Sequence, residues 1–321
     1  MKLILTSDLH QRIQKWGDLV SAVQREKPRF VLIAGDLLPK VEMVSQQAAF
    51  FPEMAQHLRS MKQAGPLTVL TYLGNDDAHI LESRLDDLQG RGLCVNLNGR
   101  VHREEGLVFC GMNKVRDYPF GYKHWCAPDD NFVTCPVQLC GEGLTLDAKG
   151  RWIELPNLRE YLLAKPSLHN RLEALRSQLT PTEIGRSMWL VHNPPADLGI
   201  DICYDGRQVG SPSITRFIQD TQPLFGCSGH IHESPYQPGG KWAARVGGRS
   251  GSSRGRKARC STTSAWMLPT ISALARAAIA ASVTPRSLPP APLPDAKVPG
   301  RQDSPTETHG NQGFGKVKQG G

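Results

Sequence analysis

Three apolar runs, KLILTSD (2–8), RFVLIAGD (29–36) and LTVLTYLGND (67–76), alternate with amphipathic stretches of helical length. The runs are apolar without a period of two, which is the pattern of a strand covered on both faces. Between them, WGDLVSAVQRE (16–26) places Trp16, Leu19, Val20 and Val23 on one helical face. A second helix is expected over 43–62, ended by Gly65-Pro66, and a shorter one over 79–90. Strand–helix–strand repetition with apolar strands requires parallel pairing and covered faces, hence a layered α/β fold. Runs at 93–97 and 107–112 have no clear helix between them, so the sheet is expected to turn antiparallel there. The rhythm returns with helix over 157–178, strand SMWLVHN (187–193), helix SITRFIQD (213–220) and strand LFGCSGH (224–230).

Two regions break the pattern. Residues 114–156, rich in Tyr, Trp, Pro, Asp and Cys, read as an insertion or lid. Beyond about Gly247 the chain becomes basic and rich in Ser, Gly and Pro, which predicts a disordered tail over 248–321 after a domain of 1–247. The charge follows this division. Residues 1–247 hold 27 basic and 27 acidic side chains, whereas 248–321 hold 11 and 3, so the net +8 belongs to the tail. A neutral folded part offers no groove for a polyanion, and nucleic acid is not an expected partner.

No run approaches the roughly 18 apolar residues of a membrane span. The N-terminus opens as a strand rather than a signal peptide. The eight cysteines include no C-x-x-C pair, and Cys126, Cys135 and Cys140 fit no standard zinc spacing. Free thiols in a reducing, cytoplasmic compartment are therefore expected.

Five polar blocks fall at the C-terminal ends of the expected strands: Asp8-Leu9-His10, Gly35-Asp36, Gly74-Asn75-Asp76-Asp77, His192 and Gly229-His230-Ile231-His232. Open α/β sheets bind their ligands at that edge. Taken singly, each block has an ordinary explanation as a turn, a cap or a surface histidine. In conjunction they supply oxygen and imidazole donors, without thiolate, suited to manganese, iron or zinc. Two metals about 3.5–4 Å apart need a bridging ligand, and a carboxylate with two oxygens serves; Asp36 is the candidate.

The set D-x-H, G-D, G-N-x-D, H and G-H-x-H resembles the calcineurin-like metallophosphoesterase superfamily over residues 1–247. VGSPSITRFIQDTQP (209–223) and GHIHES (229–234) look similar to a bacterial and archaeal branch of small phosphoesterases. The resemblance implies a four-layer α/β/β/α sandwich with two divalent cations, manganese first, with iron or zinc as alternatives. Asp8, His10, Asp36 and His232 would hold one cation, and Asp36, Asn75, His192 and His230 the other. It implies hydrolysis of a small phosphodiester or activated monoester by a hydroxide shared between the metals. Asn75 and His192 would hold the phosphoryl group, and Asp77 would support the ligands from behind. Arg116, Lys123, His124 and Arg207 are candidates for the rest of the substrate.

Two departures stand out. Many members read G-N-H-D, where the histidine protonates the leaving group; here that position is Asp76, which can act as an acid only if its pKa is raised. Relatives also follow G-H-x-H with a hairpin and a final strand, whereas here KWAARVG (241–247) starts a strand and the pattern stops. An altered reading frame or a fusion after Gly247 would account for that. The alternatives to a hydrolase of small phosphoesters are a protein-binding module on a phosphoesterase fold, and a nuclease.

Overall fold

The computed structural model describes residues 1–40, 44–117, 120–130, 143–147 and 149–246, together with the backbone of 264–267. A compact unit spans Met1–Ala281; a second, Ser282–Gly321, lies outside the described residues.

The first sheet contains β1 (Leu3–Thr6), β2 (Phe30–Ile33), β3 (Thr68–Thr71) and β4 (Val95–Asn96), all parallel and in that order. Its connections carry α1 (Ile13–Glu26), α2 (Val44–Ala49), α3 (Phe51–Lys62) and, after a 3-10 turn at His79–Leu81, α4 (Glu82–Gly90). The hairpin β5 (Val101–Glu104) and β6 (Leu107–Met112) opens a second sheet. Within the insertion, β7 (Gly143–Leu146) and β8 (Trp152–Leu155) form an antiparallel pair. Then come α5 (Leu158–Leu163), α6 (Leu168–Arg176), α7 (Pro181–Ile184), β9 (Ser187–Val191), α8 (Pro212–Thr221), β10 (Phe225–Cys227), β11 (Ala243–Val246) and β12 (Ser264–Met267). The second sheet runs β11-β12-β10-β9-β6-β5, with β6, β9, β10 and β12 parallel.

Side-chain alternation along these strands separates the layers. Leu5, Phe30, Leu32, Leu70 and Tyr72 of the first sheet pack against Phe109, Met188, Leu190 and Phe225 of the second. Phe30 and Phe109 meet with ring centroids 4.9 Å apart. Ile4, Val31, Ile33 and Val69 point the other way, under Trp16, Leu19, Met54, Leu58 and Leu85 of the helices. Likewise Cys110, Trp189 and Val191 face Leu168, Leu172, Ile214 and Phe217. Apolar strands flanked by amphipathic helices thus give the expected α/β/β/α sandwich. Truncating Phe109 at its centre would cost about 3–5 kcal/mol.

Several expectations need correction. The chain does not turn one sheet antiparallel near residues 93–112: β4 stays parallel in the first sheet, and β5–β6 begins the second. The helix expected over 43–62 divides at Phe50, and Pro52 occupies the first turn of α3, where its missing N–H costs nothing. The helix over 157–178 divides at Pro166, which cannot continue α5. Beyond residue 247, where the sequence pattern of strands stops, β12 inserts between β11 and β10. The rest of the disorder expected over 248–321 lies outside the described residues. Among those described, no helix is long and apolar enough to cross a membrane.

Candidate metal centre

The ends of β1 and β2 continue their parallel pairing into two loops: Asp8 N donates to Gly35 O at 3.1 Å and His10 N to Asp36 O at 2.9 Å. Both loops are conformationally costly. Asp8, His10 and Asp36 have φ of 55°, 46° and 53°, and His230 has 71°, a region that non-glycine residues seldom occupy. Strain of this kind persists where the surroundings over-determine it, commonly at functional sites. Gly74 shows the crowding, since a Cβ there would lie 2.1 Å from Asp36 Oδ1 and 2.3 Å from its backbone nitrogen.

The loops bring Asp8, His10 and Asp36 together, with one donor atom from each within 4.8 Å of the others. Asp36 Oδ2 stands 3.8 Å from His10 Nε2 and 3.4 Å from His192 Nε2. His192 Nε2 and His230 Nδ1 each lie 2.7 Å from Asn75 Oδ1. The His230 amide donates to Asp8 Oδ1 at 3.0 Å, and the His232 ring meets that of His10 edge-on at 6.0 Å. The structure therefore places the seven expected donor residues near one another: Asp8, His10 and Asp36 form one candidate metal group, His192 adjoins it with Asn75 and His230, and His232 lies beside His10.

The donor set fits cations. Asp8 Oδ2 and both ring nitrogens of His10 are buried without a hydrogen-bond partner, a costly state unless another group binds them. The carbonyl of Ala34, 2.7 Å from His192 Nδ1, fixes that ring and leaves Nε2 facing the cluster.

Electrostatics follow from burial and crowding. Burial opposes charge on His192, yet Asp36 and Asp8 raise its imidazole to about 9. Burial also opposes charge on Asp8, but His192, His10 and His232 hold its carboxyl at about 2. For His10 burial prevails over Asp36 and Asp8 and brings it down to about 4.

Asp77 is fully buried behind the ligands. Its Oδ2 accepts from Leu37 N at 2.9 Å and Gly74 N at 2.8 Å, and Oδ1 from Leu38 N at 2.9 Å. It staples the two loops that present Asp36 and Asn75. Burial and the charge of Asp36 push its carboxyl up to about 8, against those three donors. Asp76 lies at the rim: Oδ1 accepts from Asn75 Nδ2 at 2.8 Å, and Oδ2 is 2.7 Å from Lys40 Nζ.

The residues expected to bind the rest of a substrate are otherwise engaged. Lys123 is buried and paired with Asp117 at 2.6 Å. His124 is buried, with Nε2 3.0 Å from the carbonyl of Asp77. The Arg116 guanidinium donates to the Gly210 carbonyl, and exposed Arg207 pairs with Asp205. None makes a described contact with the seven donors, because charge and loop location carry no information about direction.

Sequence reasoning also missed two residues. Lys40 is one. The other is Gln47 of α2, buried and bonded to the carbonyls of Pro39 at 3.0 Å and Asp76 at 2.7 Å and to the Ala78 amide at 2.8 Å. Neither lies in a patterned block, so nothing in the sequence marked them.

The calcineurin-like phosphoesterase family matches residues 1–234. Among curated proteins none matches. Among solved structures, TT1561 of Thermus thermophilus is 15% identical over 71% of this chain and 81% of that one, with a TM-score of 0.43. An archaeal phosphodiesterase is 14% identical over 48% of this chain and 99% of that one, with a TM-score of 0.25.

Proposed function

The chain belongs to the calcineurin-like phosphoesterase family, and from that premise we propose that it hydrolyses a small phosphodiester or activated monoester with two divalent cations. Asp8, His10, Asp36 and His232 would hold one cation, and Asp36, Asn75, His192 and His230 the other. Such cations, when bound, supply an activated water and neutralise charge that builds on the phosphoryl oxygens.

The chain's own residues do the positioning. Asp36, with Oδ2 facing His10 and His192, has the two oxygens that a shared ligand needs. Asn75 holds its amide oxygen between His192 and His230, so its carboxamide is placed to orient a phosphoryl group beside them. Asp77 fixes the loops on which Asp36 and Asn75 ride. Asp76, both of whose oxygens accept hydrogen bonds or an ion pair, is not free to protonate a leaving group. That favours substrates whose leaving group departs readily.

Manganese suits this mixed carboxylate, amide and imidazole set, with iron or zinc as alternatives. The five described cysteines, 94, 110, 126, 203 and 227, are buried and unbridged, which supports a cytoplasmic setting. The balanced charge of residues 1–247 supports a small phosphorylated substrate over nucleic acid.

The observation that carries the reading is the buried set of Asp8 Oδ2, His10 Nδ1 and His10 Nε2, without hydrogen-bond partners, beside Asp36. Loading the purified protein with manganese and assaying bis-p-nitrophenyl phosphate tests it. Turnover that chelation abolishes and manganese restores is expected. A metal-loaded protein inert toward diesters and activated monoesters would refute it.

A further inference from the structure

Lys40 is not among the expected metal-binding residues, yet it is paired to Asp76 at the rim of the site. Its Nζ lies 2.7 Å from Asp76 Oδ2, and that same oxygen is 3.9 Å from His10 Nδ1. The Asp76 amide donates to Asp36 Oδ1 at 3.0 Å. One carboxylate thus separates the ammonium from the cluster, while the lysine side chain remains 56% exposed toward solvent.

The backbone leading to Lys40 is pinned at each of the three preceding residues. Asp77 accepts from the amides of Leu37 and Leu38, and Gln47 donates to the Pro39 carbonyl. Gln47 also grips the Asp76 carbonyl and the Ala78 amide, tying the Lys40 loop to the Asp76 loop. An ordinary surface lysine has a freely rotating stem and no such support.

Donor and acceptor counts assign the roles. Both Asp76 oxygens are occupied as acceptors, by Asn75 Nδ2 and Lys40 Nζ. The Lys40 ammonium has three N–H groups, of which Asp76 engages one.

Resting on the hydrolase reading above, we propose that Lys40 contacts the leaving-group oxygen of the substrate and that Asp76 is its positioning residue. As water's oxygen bonds to phosphorus and releases its proton to solvent, the P–O bond to the leaving group breaks. The electron pair passes to the leaving oxygen. Lys40 stabilises the negative charge that develops there with a charge-assisted hydrogen bond, and solvent water supplies the final proton.

The test uses the full chain loaded with manganese and a series of phosphodiesters running from p-nitrophenolate to alkyl alcohol leaving groups. A leaving alkoxide carries more charge, so K40M should lower kcat for alkyl esters roughly 10²-fold more than for p-nitrophenyl esters. K40R should recover part of that difference. D76N, which leaves the lysine without its ionic partner, should move the leaving-group dependence the same way to a smaller extent. Metal content should not change in any variant. An equal loss across the series would place Lys40 on the non-bridging phosphoryl oxygens and overturn the proposal, as would an unchanged dependence. Wild-type protein that holds metal but hydrolyses no member of the series would instead refute the hydrolase reading beneath it.

Discussion

His192 Nε2 stands 3.4 Å from Asp36 Oδ2, so a side chain at the end of β9 in the second sheet meets one at the end of β2 in the first. The candidate centre therefore bridges the sandwich whose inner faces meet in contacts such as that of Phe30 with Phe109.

Asp36→Asn tests that bridge. Replacing a shared carboxylate by an amide should abolish hydrolysis and reduce bound manganese below one ion per chain, read by elemental analysis. Asparagine can still accept the Asp76 amide, and the change removes a buried charge that raises Asp77. It also removes the carboxylate that favours charge on His192, so the chelated variant should still fold and melt cooperatively, but without the wild type's full gain at low pH. Two retained ions with full turnover would remove Asp36 from the bridging role.

The chelated protein should also show a defined pH response. Each ring nitrogen of His192 has an oxygen at 2.7 Å, Ala34 O on one side and Asn75 Oδ1 on the other, which favours the doubly protonated ring. Its folded pKa of about 9 lies above the ordinary 6.5. The stability contributed by this charge is complete below pH 6.5 and is lost as pH rises through about 9. Asp77 acts in the same direction, because a carboxyl raised from 3.8 to about 8 disfavours folding increasingly as pH climbs between those values. Asp8 is opposite in sign: its contribution is present above 3.8 and lost as pH falls through about 2. Melting curves in chelator should accordingly fall between pH 6.5 and about 9. Manganese bound at His192 would take the place of that proton and should flatten or reverse the slope. A melting temperature that rises with pH in chelator would contradict the assignment.

Asp77→Ala should be the costliest single change near the site. It leaves the amides of Leu37, Leu38 and Gly74 without their acceptor in a fully buried place. At about 1–3 kcal/mol for each unsatisfied group, the loss should be about 3 kcal/mol or more. Urea unfolding of the chelated protein measures it, and a change below about 1 kcal/mol would mean that the two loops hold themselves.

Much of this was legible in the sequence because strands and ligands obey local rules. LILT, FVLI and TVLT, buried on both faces, carry their own signature, and the polar blocks sit one to six residues past strand ends, where the fold leaves its edge open. The resemblance implied two sheets, but the point where the second begins was not legible, because β4 is two residues long and gives no signal against β5 and β6. The position of Asp77 in G-N-D-D marks it as a support behind the ligands, but two of its three backbone partners, Leu37 and Leu38, lie 40 and 39 residues away. Lys40 and Gln47 depend wholly on such long-range meetings. The substrate cations show the reverse error: Lys123 and Arg207 look available in the sequence, and the fold pairs both.

Truncation separates the tail from the sandwich. Ending the chain at Ala281, the boundary of the first compact unit, should preserve metal binding and solubility. Ending it at residue 247 removes β12, leaving β10 with an open edge and β11 without its partner. That shorter form should aggregate, because an unpaired strand edge invites pairing with other chains. Equal solubility of both forms by size-exclusion chromatography would show that β12 contributes nothing to the sheet.

The central claim is that seven side chains from both sheets hold two catalytic cations around Asp36. Titrating chelated protein with manganese while following bis-p-nitrophenyl phosphate turnover, in wild type and in Asp36→Asn, measures it directly. Two ions per chain are expected, with activity that appears only as the second ion binds, and neither in the variant. Activity that saturates with one ion, or that survives in Asp36→Asn, would contradict it.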